Sequence, residues 1–324
     1  MSSVSYSYAK LEMFGENKSS DFVIWGFTDN QSLQPVLFLI FLLIYGLTVS
    51  GNVVIISLIF CDVHLQKPMY YFLCNMSFLD FSYSSVTAPY MLYVFMTGHK
   101  HLSIKRCMTQ LYFFNSFASV EYLLLTTMAF DRYMAICKPF LYMQVMNRRA
   151  CFWLSVAAWI SGFTAALPVT IFSSTLSFCA SNVINHFFCD VTPLLKLSCD
   201  DITAIEMTMF TEGIVLLFSC FFLTVMSYVY IISAILKIQS KEGRHKAFST
   251  CASHLTVVVL FYILVVCVYM KPTSSYSLDV GKIVSVLYVN VIPMLNPFIY
   301  SLRNKDVKDA LMKVFKGHFH KNML

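Results

Sequence analysis

Four stretches of 20 or more residues carry no Asp, Glu, Lys or Arg: between Asp29 and Asp62, Glu212 and Lys237, Lys246 and Lys271, and Lys282 and Arg303. A helix rises 1.5 Å per residue, so about 20 apolar residues cross a hydrocarbon core of roughly 30 Å. Lipid offers no partner for backbone amides, which leaves the helix as the form for such stretches. A fifth stretch, 150–172, begins directly after Arg149, and two more, 69–97 and 107–130, are each broken by one acid, Asp80 and Glu121. The expected fold is all-α: a seven-transmembrane helix bundle over 35–302, with spans at about 35–60, 69–97, 107–131, 150–172, 207–236, 247–270 and 281–302. Residues 1–34 form an N-terminal segment and 303–324 a tail. Composition agrees, since 58% of residues are apolar and 12% charged, against about a quarter charged in soluble domains. A collagen, a disordered chain and a disulfide-knotted miniprotein are excluded.

An odd number of spans puts the termini on opposite sides, and the Lys/Arg bias chooses between the two arrangements. With the C-terminus inside, the inner segments carry 15 basic residues and the outer ones eight, while nine of the 17 acids fall outside. The N-terminus is therefore expected outside, with the first span as an uncleaved signal-anchor. The net charge of +6 marks topology and not nucleic-acid binding. The sequons at Asn17 and Asn30 lie in the predicted outer segment, where a glycan can be added. A third, at Asn75, falls inside a span.

Of the 11 cysteines, Cys107, Cys179, Cys189 and Cys199 lie on the predicted oxidising side. Four cysteines permit three pairings, and spacing does not choose among them. A metal site on His186 and Cys189 lacks a CxxC or HxxxH companion. No GxG, phosphate loop, HExxH or GxSxG occurs, so no enzyme is expected. A retinal-binding Lys in mid-span seven is also missing, because Lys282 stands at the outer mouth and Asn290 and Asn296 occupy the centre.

An acid at a helix centre costs several kcal/mol, which makes Asp80 and Glu121 functional candidates. With Asn52 and Asn296 they predict one inward-facing polar cluster able to hold a cation, water or a proton; hydrogen-bonded packing residues are the alternative. Pro89, Pro168, Pro293 and Pro297 read as kinks. Cys107 and Arg132 are 25 residues apart, about 37 Å of helix, so Asp131-Arg132-Tyr133 sits at the inner surface. Taken alone, Arg132 there is a topological anchor.

Read together, the motifs resemble those of the rhodopsin-like G-protein-coupled receptors and, more narrowly, the olfactory receptors. The resemblance is carried by Gly51-Asn52, Pro68 through Leu73 with Leu79-Asp80, Met128 through Cys137 with Lys138-Pro139 and Tyr142, and Phe188-Cys189-Asp190 with Leu197-Ser198-Cys199. It continues through Ser227-Tyr228, Lys246 through Cys251 with Ser253-His254-Leu255, and Pro293 through Tyr300 with Leu302-Arg303-Asn304. Phe261-Tyr262 stands where most rhodopsin-like relatives carry Trp-Pro. Gln66 and Ile263 depart from the pattern, and residues 1–12 read as an extension, with Met13 as an alternative start. The second helix is similar to that of the larger, tetrapod-type (class II) group, whose ligands are airborne and moderately apolar.

The resemblance implies a plasma-membrane odorant receptor that activates a stimulatory olfactory-type heterotrimeric G protein and raises cAMP. It implies disulfides Cys107–Cys189 and Cys179–Cys199, and a short amphipathic helix after span seven. The ligand would lie between spans three, five, six and seven, against Phe114, Asn115, Ala118, Ser119, Glu212, Leu216, Tyr262, Val265, Tyr269 and Val289. The switch would comprise Asp131, Arg132, Tyr133, Tyr228, His254, Asn296, Pro297 and Tyr300, with Arg132 resting on Asp131 and His254 as a resting-state partner. Asn52, Asp80 and Glu121 would join Asn296 in a polar hinge around a sodium ion, the one candidate cofactor. The alternative of a different class is a seven-span ion or proton transporter built on Asp80 and Glu121, although no internal repeat is detectable.

Overall fold

The computed structural model describes residues 21–28, 30–179, 181–269, 278–304 and 306–313, with backbone only at 246, 249, 250, 253, 266–269, 278–280 and 301–303. Helices dominate: α1 (Gln34–Cys61), α2 (Pro68–Thr97), α3 (Ile104–Cys137), a short α4 (Pro139–Val145) and α5 (Arg148–Ser174). After a one-turn α6 (Val191–Leu195), α7 (Thr203–Glu212) runs through a π turn (Gly213–Phe218) into α8 (Ser219–Leu236) as one rod. Next come α9 (Lys241–Tyr269) and a second broken rod, α10 (Leu278–Val286), a π turn (Leu287–Val291) and α11 (Ile292–Arg303). Among the described residues these make seven rods of membrane-spanning length. Four of them, Gln34–Cys61, Arg148–Ser174, Thr203–Leu236 and Gly281–Tyr300, qualify as spans by composition as well as length. The remaining three, α2, α3 and α9, carry more polar residues.

Local chemistry sets the ends. Pro68 and Pro139 open their helices, where a missing N–H costs nothing. Ser103 and Asn147 cap α3 and α5 through the Arg106 and Ala150 amides. Gly98, at φ +71°, closes α2 in the left-handed conformation that glycine adopts without strain. The third span runs on to Cys137, six residues past its expected end, because Asp131 and Arg132 are accommodated within the helix. It stops at Lys138, which precedes a proline and so avoids the α region. The fifth span starts at Thr203 instead of 207, its first turn held by the Asp201 carboxylate on the Thr203 amide at 2.9 Å.

Burial follows lipid rules. α1 buries a narrow stripe of Phe41, Thr48, Asn52, Ile55 and Ile59 and exposes Leu39, Leu43, Val53 and Phe60; the exposed side faces hydrocarbon. By contrast, α3 buries residues around most of its circumference, as a central helix must. It packs tightly on α5 at Gly162, where an added Cβ would lie 2.5 Å from Val120 Cγ2 and 2.7 Å from the Val120 amide nitrogen. Small residues at such crossings let the backbones meet.

A small sheet caps the disulfide end, called outer here after the charge bias. Its centre is β1 (Asp21–Ile24), antiparallel to β2 (His101–Ser103) and parallel to β3 (Val183–Ile184). These strands, two to four residues long, were not expected, being too short to show a period in sequence. The cysteine pairing left open by spacing is resolved as Cys107–Cys189 and Cys179–Cys199, with Cα separations of 5.4 and 6.0 Å. At the other end, residues 306–313 form a short amphipathic helix with Val307 and Ala310 buried. It is tied to α2 by the Tyr70 hydroxyl on Asn304 and Asp306 (3.1 and 3.0 Å) and by the Lys67–Asp306 ion pair at 2.9 Å.

Gly162→Leu should destabilise the bundle by about 1–3 kcal/mol through overpacking. Gly46→Ala, with nothing within 4 Å of the new Cβ, should not destabilise it and should raise stability by up to about 1 kcal/mol. Thermal unfolding of both variants in one detergent checks the pair.

Candidate functional site

The outer half of the bundle places a polar pair inside an apolar wall. Ser119 lies three turns below Cys107 on α3 and donates to Glu212 Oε1 at 3.0 Å. Glu212 ends α7 immediately before the π turn, an irregularity frequent at functional positions. Phe114 is fully buried against Phe188 of the long outer loop (centroids 4.6 Å) and Tyr288 (5.9 Å). Tyr262, Val265 and Val289 are buried, whereas Asn115, Ala118 and Leu216 are half-buried. The structure thus gathers most of the expected lining around α3, the two π turns and α9, while the Tyr269 side chain lies outside the described residues. A groove of about 660 Å³ opens on the far side of Glu212, between α5 and α7.

The loop above is held by a contact that sequence reasoning missed. Gln110 donates to the Val86 carbonyl and accepts from the Cys189 amide, both at 2.9 Å. It thereby clamps the disulfide to α2 as well as α3. Its only sequence signal is its place one turn after Cys107. His186 is buried in the same loop with its ring 4.6 Å from those of Phe187 and Phe188. Burial, assisted by the charge of Lys282, pushes its imidazole down to about 3. Burial also pushes the neighbouring Asp190 carboxyl up to about 6, against the bond from the Val191 amide.

Mid-bundle, Asn296 donates to Asp80 at 2.9 Å. Pro297 has no N–H for the Pro293 carbonyl, and Asn52 supplies one from α1 at 3.1 Å. The four expected polar residues are all buried, but only Asp80 and Asn296 bond each other; Asn52 bonds the Pro293 carbonyl instead. Among the described residues Glu121 makes no hydrogen bond to Asp80, Asn52 or Asn296. Asn52 Oδ1 and Asn296 Oδ1 are buried without partners there. Two acids and two unpartnered amide oxygens are a donor set that suits a hard monovalent cation.

At the inner end, Arg132 is bonded through Nε (2.9 Å) and Nη2 to Asp131 Oδ2, while Tyr142 donates to Asp131 Oδ1 at 2.8 Å. Tyr228 on α8 meets His254 Nδ1 on α9 at 2.6 Å. The partner of His254 is therefore Tyr228, with no hydrogen bond to Arg132 among the described residues. The guanidinium is already neutralised by its neighbour, which leaves the imidazole to join spans five and six. Pro297 and Tyr300 are buried nearby, and Tyr133 packs on Tyr230 at 5.9 Å. Phe140 on α4 is 98% exposed beside this cluster, a second residue not singled out from sequence. Asn30 is exposed and Asn17 lies outside the described residues.

The family described as olfactory receptor matches residues 41–318. The chain belongs to the olfactory receptor family. It is 48% identical to mouse olfactory receptor 5AR1 over 92% of this chain and 97% of that one. It is 47% identical to the dog olfactory receptor-like protein OLF1 over 92% and 96%. Among solved structures it is similar in fold to squid rhodopsin, with TM-score 0.68 and 15% identity over 88% of this chain and 81% of that chain. This olfactory receptor is thus a multi-pass plasma-membrane protein of the G-protein-coupled class, and not an enzyme. Family membership selects the receptor reading over the transporter.

Unfolding frees the receptor's His186 to titrate near pH 6.5, whereas the folded ring stays neutral to about 3. Its share of stability is therefore full above pH 6.5 and lost as pH falls toward 3. Asp190, with its raised value, acts in the opposite sense over the acid part of that window. Thermal stability of wild type minus that of His186→Phe should hence fall with acidification from pH 7 to 4.

Proposed function

We propose that this receptor binds a small volatile odorant in the outer half of the bundle and activates a stimulatory olfactory-type G protein, raising cAMP. The observation that carries the reading is the Ser119–Glu212 pair, set among Phe114, Tyr262, Val265 and Val289. A few polar groups in an apolar wall are what a small, moderately apolar ligand needs for affinity and orientation. The N-terminus faces out in this reading, with a glycan at Asn17 and a second acceptor at Asn30.

Activation is a population shift, and an agonist drives it only through tighter binding to the active arrangement. An odorant hydroxyl or carbonyl competing for Ser119 loosens the tie between spans three and five. Spans five and six then part at Tyr228–His254, and Arg132 leaves Asp131 to meet Tyr228, Tyr300 and the G protein. The Asp80–Asn296 and Asn52–Pro293 bonds form the hinge that passes the shift to span seven. Sodium held by Asp80, Glu121, Asn52 and Asn296 would favour the resting arrangement by neutralising the acids. Phe140 offers an unpartnered apolar side chain at the inner face, suited to a pocket on the G protein.

An odorant-library screen for cAMP in cells expressing the olfactory G protein tests the assignment. For the agonist found, Ser119→Val and Tyr262→Ala should each weaken potency about tenfold, a loss near 1.4 kcal/mol. Unchanged potency in both, at normal surface expression, removes the pocket.

Arg132→Ala should reach the surface and bind agonist yet raise no cAMP. Phe140→Ala should reduce maximal cAMP without altering agonist binding. Normal signalling from Arg132→Ala would return Asp131-Arg132-Tyr133 to the role of a topological anchor.

A further inference from the structure

The groove between α5 and α7 lies on the flank of the bundle, away from the interior formed with spans six and seven. Its walls are the membrane-facing side chains Ile160, Met207 and Val215, 62%, 60% and 57% exposed, so the surrounding bilayer has direct access. Two acceptors interrupt this apolar surface. One is Glu212, whose single hydrogen bond among the described residues comes from Ser119 to Oε1, leaving the second carboxylate oxygen without one. The other follows from Pro168, inside α5 and in the groove wall. Having no N–H, it leaves the carbonyl of Thr164, also in the wall, without its helical donor. The hydroxyls of Thr164, Thr208 and Thr211 bond back to carbonyls of their own helices; the Ser161 hydroxyl, also in the wall, makes no such bond among the described residues and is a neutral group that cannot offset the acid's charge. An acid and a freed carbonyl in an apolar, lipid-facing recess want a cationic donor carried on an apolar chain.

We propose that the α5–α7 groove is a second binding site, filled from the bilayer by amphiphilic alkylamines, with the ammonium on Glu212 and the Thr164 carbonyl and the chain along Ile160, Met207 and Val215. The site opens to the bilayer where the odorant pocket faces the bundle interior, and the two share Glu212 and Leu216. An amine in the groove competes with Ser119 for the same carboxyl, so it loosens the tie between spans three and five from the outside. A neutral amphiphile of the same length gains the apolar contact but lacks the donor that the two acceptors require.

The test is photolabelling of purified receptor in phosphatidylcholine nanodiscs, without odorant or G protein, using diazirine-bearing dodecylamine and the matched dodecanol. The amine should label residues 160–168 and 207–216 about tenfold more than the alcohol, the preference expected of one charge-assisted pair. Glu212→Gln should erase that preference. Val215→Trp, which keeps the acid but fills the groove, should reduce amine labelling of both segments. Equal labelling by the two probes, a preference that survives Glu212→Gln, or labelling indifferent to Val215→Trp would each overturn the proposal. The readout needs no signalling: odorant responses without amine labelling would remove this site alone, and labelling without any odorant response would remove the odorant reading alone.

Discussion

The bundle is organised around α3, and α3 is fixed at its outer end by the disulfide from Cys107 to Cys189. That bond holds the long outer loop over the helix ends, and Gln110 extends the grip to α2. From the same helix project Phe114 under the loop, Ser119 toward Glu212, Thr126 toward Thr224 at 3.2 Å, and Asp131 with Arg132 at the inner surface. One rod therefore carries a member of the outer pair and of the inner Asp131–Arg132 cluster.

A second theme is the freed backbone carbonyl. In hydrocarbon an unbonded carbonyl is costly, so a break in a helix ladder favours any donor that can reach it. Pro297 deprives the Pro293 carbonyl, and Asn52 of α1 answers it; the price of the break becomes a link between spans one and seven. The two π turns, Gly213–Phe218 and Leu287–Val291, fall beside Glu212 and around Val289. The second contributes the buried Val289 to the interior, whereas the first has no buried residue and turns only Leu216 and Leu217 partly inward.

Much of this was legible in the residues. Charge-free stretches give the spans because twenty apolar residues in lipid have one stable form, and their count follows without reference to tertiary contacts. The motifs at Asp131-Arg132-Tyr133 and Pro293 through Tyr300 point to the family because they recur at particular ends of particular spans. The resemblance also named the two disulfides, which spacing alone leaves threefold ambiguous. Other features were hidden. The strands β1 to β3 are too short to carry a period, Gln110 is an ordinary polar residue one turn after a cysteine, and Phe140 looks like any loop aromatic until its exposure is known.

The sequence by itself determined the solvent, the number and order of the spans and the family, since each rests on local composition or on short motifs read in order. Only the tertiary structure decided partners: that Glu212 meets Ser119, 93 residues away, that Asn52 serves the Pro293 carbonyl, and that His254 belongs to Tyr228 and not to Arg132. It also broke up the expected four-residue hinge, pairing Asp80 with Asn296, sending Asn52 to the Pro293 carbonyl and leaving Glu121 bonded to none of them among the described residues. The physical reason is that pairing across spans depends on helix rotation and crossing. These are set by packing at contacts such as Gly162 against Val120, where a single missing Cβ brings two backbones together.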